Sequence, residues 1–190
     1  MTNNNPPPLP TQRTIRLTVL ISGNGTNLQA LIDKIQTDDQ FGPTTSTTRT
    51  RAKIVRVISN RREAYGLQRA RQAQIPVHYH NLVKYKKKMR QSSSSSSSST
   101  TTTEEGVQRA REEYDADLAR LVLGDEPDLV VCLGFMHVLS PHFLAPLEAA
   151  KVGIVNLHPA LPGAFNGVVC FPPPPPRLLL QLLFFLMLTN

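Results

Sequence analysis

Residues 14–35 read TIRLTVLISGNGTNLQALIDKI, and the order of the parts decides the fold. TIRLTVLI is rich in β-branched and apolar side chains, as a buried strand is. Two glycines follow in Ser22-Gly23-Asn24-Gly25-Thr26-Asn27, where the chain must turn. Leu28, Leu31, Ile32 and Ile35 then recur at i, i+3, i+4 and i+7, one face of a helix. The unit is strand, glycine-rich turn, helix.

The same alternation continues. Residues 52–58 (AKIVRVI) read as a second strand and 64–74 as a helix. Residues 75–79 suit a short strand, and Pro76 favours a sheet edge. Helical character runs from about Glu104 to Leu123, with Gly124 suited to its end. Residues 128–133 (DLVVCL) and 153–157 (GIVNL) are two more apolar strands. Between them Ser140 and Pro141 mark a helix start, serine as cap and proline in the first turn. Strands separated by helices predict an α/β domain with a mainly parallel, Rossmann-like sheet.

Three stretches stand outside this pattern. Residues 1–13 are polar and proline-rich and read as disordered. Residues 84–103 join a lysine run to unbroken serines and threonines, and read as a low-complexity loop inserted in a domain spanning 14–167. Residues 168–190 hold five consecutive prolines and an apolar end, with no Asp or Glu after Glu148. They read as a tail foreign to the domain, as a misread gene would add.

Composition narrows the function. Hydrophobic residues make up 40% and charged residues 18%, in the globular range. The net charge of +7 is spread over scattered arginines and one solvated run, Lys84 to Arg90, so no nucleic-acid partner is expected. Residues 178–188 are too short to cross a bilayer, which takes roughly 20 residues. The N-terminus lacks a signal peptide's apolar core, and a cytoplasmic location is expected. Two cysteines, Cys132 and Cys170, make neither a disulfide framework nor a metal set.

Three motifs could carry chemistry. In the first turn, glycines let the backbone approach a ligand, and the N–H groups of the following helix face an anion. Thr26 and Asn27 add side-chain donors. The spacing is neither a Walker loop nor GxGxxG. It reads equally as an anion cradle or as a tight turn with a capped helix. In the second motif, Asn156 and His158 flank Leu157 and project to one side at a strand's end. An amide donor beside an imidazole suits acyl transfer, and an isolated Asn-x-His is as often structural. The third, Gly134 to Ser140 (GFMHVLS), could line a pocket for a flat heterocycle, and taken alone reads as core.

Together, ISGNGTNLQALID, VISNRREAYGLQRARQAQIP, DLVVCLGFMHVLSP and IVNLHPALPGAF resemble the phosphoribosylglycinamide formyltransferase family, in its fungal form. The likeness covers residues 14–167 outside the serine region, and implies a fold whose C-terminal part is missing here. It implies transfer of a formyl group from 10-formyltetrahydrofolate to N1-(5-phospho-D-ribosyl)glycinamide (glycinamide ribonucleotide), in purine synthesis, without a metal. On that resemblance Gly25, Thr26 and Asn27 hold the substrate phosphate. Arg111, Met136, His137, Val138, Leu139 and Asn156 meet the folate, and Asn156 and His158 form the catalytic pair. Many relatives carry arginine where His137 stands. The family's later catalytic aspartate has no counterpart here, since no carboxylate follows Gly167. An inactive formyltransferase-like protein, a methionyl-tRNA formyltransferase and a formyltetrahydrofolate hydrolase are the alternative readings.

Overall fold

The structure, a computed structural model, describes residues 14–40, 51–93 and 102–157, leaving aside the side chains of residues 39–40, 90–93 and 102–103. In chain order the elements are β1 (Thr14–Ile21), α1 (Thr26–Gln40), β2 (Arg51–Ser59), α2 (Tyr65–Gln72) and β3 (Val77–Tyr79). Then come α3 (Leu82–Ser93), α4 (Thr102–Leu123), β4 (Leu129–Leu133), α5 (Pro141–Ala149) and β5 (Gly153–Leu157). The five strands form one sheet in the order β3-β2-β1-β4-β5, and every pairing is parallel.

Side-chain alternation explains why helices cover both faces. Leu17, Val19 and Ile21 of β1 point into one core cluster, with Leu28 and Ile32 of α1 and Leu67 and Ala70 of α2. Leu20 points the other way, to Tyr114, Leu118 and Val122 of α4 and to Phe143 and Leu147 of α5. All of these are almost wholly buried, and each large apolar side chain so placed contributes about 1.5–3 kcal/mol. The α1 face is the one that the 3.6-residue spacing predicts: Leu31 and Ile35 pack beside Leu28 and Ile32. Pro76 lies just before the edge strand, and its carbonyl accepts from the Val57 N–H.

The lysine run differs from its expected form. Residues 84–93 are not a loop: they belong to α3, and Thr102 already belongs to α4. Leu82 and Tyr85 turn inward against the α4 side of the core. The Tyr85 hydroxyl donates to Asp117 at 2.6 Å, and Lys88 pairs with Glu113 at 3.0 Å. The run is therefore the solvated side of a helix held by α4. Residues 1–13, 41–50, 94–101 and 158–190 lie outside the described residues, and with them the start read as disordered, the serine run beyond Ser93, His158 and the tail read as foreign. No described helix is long and apolar enough to cross a membrane.

Candidate functional site

The sheet reverses its strand order between β1 and β4. In an open parallel sheet that switch point opens a crevice beyond the strands' carboxyl ends. Two of the three sequence motifs border it directly, because one follows β1 and the other follows β4. The Met136 N–H donates to the Ser22 hydroxyl at 2.8 Å, joining the two loops. Asn156 is exposed at the end of β5, in register with Cys132 of β4.

The turn after β1 is shaped by close backbone packing. Gly25 has φ +68°, a left-handed conformation that costs other residues energy. A Cβ on Gly25 would lie 2.5 Å from the Gly66 Cα, at the start of α2. The Gly66 N–H donates to the Gly23 carbonyl at 3.2 Å. Arg69 donates from Nε to the Asn24 carbonyl at 3.0 Å, and its guanidinium lies 4.9 Å from the Tyr65 ring centre. α2 thus braces the turn from below with a positive charge. The Gln29 N–H closes on the Gly25 carbonyl at 2.9 Å, so α1 begins here, with no acidic residue in its first turn. Its leading N–H groups and helix dipole make this end electropositive.

The profile of the formyl transferase family matches residues 15–171. The chain belongs to the formyl transferase family. It is 47% identical over 152 residues to the phosphoribosylglycinamide formyltransferase of Schizosaccharomyces pombe, and 41% identical over 152 residues to that of Saccharomyces cerevisiae. Each match takes in 80% of this chain and 62% of the relative, so the chain spans less than two thirds of their length. Among solved structures, phosphoribosylglycinamide formyltransferase from Coxiella burnetii superposes with a TM-score of 0.57 at 31% identity, over 82% of this chain and 56% of that one.

In this chain the β4–α5 loop is fastened from behind. Gly134 turns it with φ +70°. Phe135 and Leu139 pack on the α4 side of the core. Met136 and Val138 are 56% and 89% exposed, so these two are not core residues, as the motif alone suggests. The His137 side chain is only 9% exposed and bonds through Nε2 to Asp115 at 2.7 Å. The other Asp115 oxygen accepts the Ser140 N–H at 2.8 Å. Ser140 does sit at the helix cap position, yet its hydroxyl makes no capping bond. Arg111 is exposed on α4, one turn before Asp115 and nearer the crevice end of that helix.

Sequence assigns no role to Ser22, Gly66, Arg69 or Asp115, although Ser22 opens the first motif. Asp115 alone leaves a trace: it interrupts the stripe of Ala110, Tyr114, Leu118 and Val122 that α4 buries. Burial alone would raise its carboxyl, but the hydrogen bonds from His137 and Ser140 outweigh that and hold it below the usual carboxylate value. A depressed carboxyl contributes stability that is complete above its unfolded value, about 4, and is lost as pH falls through its folded value. The stability gap between the native chain and Asp115→Asn should therefore narrow as pH drops from 7 into the acid range. Urea midpoints measured against pH check this, and parallel curves would refute it. Burial pushes the Cys132 thiol up to about 11, which suits a packing residue and not a nucleophile.

Proposed function

We propose that this chain binds glycinamide ribonucleotide and 10-formyltetrahydrofolate side by side at the switch-point crevice, and transfers the formyl group from the second to the first. The observation that carries this reading is the bond from Met136 N–H to the Ser22 hydroxyl, which joins the turn after β1 to the loop after β4. In a chain of this family that junction supports a phosphate side and a folate side that are neighbours.

Each candidate residue then has a task. The N–H groups opening α1, with Gly25, Thr26 and Asn27, receive the ribose phosphate. Met136 and Val138 offer apolar surface to the folate ring, while His137 and Leu139 hold their loop in place. Arg111, exposed toward the crevice end of α4, meets the anionic part of the folate. The substrate amine attacks the formyl carbon, and the C=O electrons move onto oxygen. Asn156 donates a hydrogen bond to that oxygen, and protonated His158 stabilises it. Collapse of the tetrahedral species breaks the bond to the folate nitrogen. That nitrogen gains a proton, and the former amine loses one through His158.

A transfer assay on the chain with both substrates tests the reading, beside calorimetric titration of each substrate alone. Formylated ribonucleotide that requires both substrates is the expected result. Binding of both without transfer would reassign the chain as a ligand-holding domain. Failure to bind either would overturn the reading.

A further inference from the structure

We propose that Asp115 is the positioning residue of the β4–α5 loop, acting through His137 and the Ser140 N–H to set the Met136 and Val138 face toward the bound folate. This rests on the reading of that loop as the folate side of the crevice. Asp115 is wholly buried in the middle of α4. A buried carboxylate is costly unless each oxygen finds a donor. Here both do, and the donors come from the middle and the end of one loop, residues 134–140: His137 at 2.7 Å and the Ser140 N–H at 2.8 Å.

The consequence is a clamp with a defined direction. Ser22 fixes the loop at Met136, and Asp115 fixes it at His137 and Ser140. Phe135 and Leu139 are held by the core. Only Met136 and Val138 remain turned outward. The His137 ring is wedged edge-on against Tyr114, with centres 4.9 Å apart, and Tyr114 packs on His80 at 4.3 Å. The imidazole thus faces inward, into a packed aromatic group, and its work is done on the loop. Ser140 also starts α5, so the positive end of that helix faces the Asp115 carboxylate and strengthens the clamp.

Asp115→Asn and Asp115→Ala in the full chain test the proposal. Calorimetric titration should show affinity for 10-formyltetrahydrofolate weakened roughly tenfold, the effect of losing a charged hydrogen bond. Affinity for glycinamide ribonucleotide should stay within about twofold, because the phosphate turn hangs on α2 instead. Amide hydrogen exchange without ligand should quicken across residues 134–140 and stay unchanged across 22–27. Equal losses for both ligands, or unchanged exchange in the loop, would overturn it. If neither variant folds, the native chain decides: a Ser140 amide exchanging as fast as an open loop rules out the clamp. A native chain that binds no folate defeats the proposed function, while the exchange comparison still judges Asp115.

Discussion

His158→Ala is expected to slow formyl transfer about 10²–10⁴-fold, the usual contribution of a positioned acid–base group. Asn156→Ala is expected to slow it about 10²–10³-fold, as for loss of one oxyanion donor. The physical basis is strand geometry. Asn156 stands exposed at the end of β5, which pairs with β4 through the register Cys132↔Asn156 and Leu133↔Leu157. His158 lies outside the described residues, and its partnership with Asn156 rests on the Asn-x-His spacing. The two substitutions differ in their pH behaviour. Removing an amide that does not titrate leaves the shape of the rate profile unchanged. Removing the imidazole should erase the limb that proton transfer through it gives the profile. Single-turnover rates across pH, with both substrates saturating, make the comparison. A His158→Ala chain within tenfold of the native rate would refute the assigned pair.

Gly25→Ala is expected to cost about 2–5 kcal/mol and to abolish ribonucleotide binding. Two effects add. A left-handed backbone costs a residue with a Cβ about 1–2 kcal/mol, and Gly25 has φ +68°. The new methyl would also press on the Gly66 Cα at 2.5 Å, backbone against backbone, where no side chain can swing away. Overpacking of that kind costs about 1–3 kcal/mol. Relief requires the turn and α2 to separate, which breaks the bond from Gly66 N–H to the Gly23 carbonyl and moves the N–H groups that open α1. Gly23→Ala is the control: its Cβ would meet nothing within 4 Å, and stability should stay within about 0.5 kcal/mol. Urea midpoints and ribonucleotide titration distinguish the pair. Equal midpoints for the two variants would show that the close approach is not a constraint.

Local pattern was enough for β1, α1, β4 and β5, because burying a strand on both faces or a helix on one writes itself into residue spacing. The parallel α/β class followed, and so did the position of Asn156 at a strand's carboxyl end. Composition misdirected the reading of residues 84–93. Lysines and serines look unable to order themselves, yet Leu82 and Tyr85 need only α4 beneath them to hold a helix. Their apolar stripe is too short to be read without that partner. The strand order, by contrast, is invisible in spacing. It arises because β1 has two neighbours, β2 and β4, that lie far apart in the chain, and it alone creates the crevice. The residues that shape the crevice are of the same long-range kind. Gly66 is required because another glycine's backbone lies against it, and Asp115 because two donors of a distant loop end at its oxygens. Sequence by itself determined the elements and their faces, since those obey periods of two and 3.6 residues. Tertiary structure decided which loops meet and which side chains hold them, since contacts between distant segments leave no period to read.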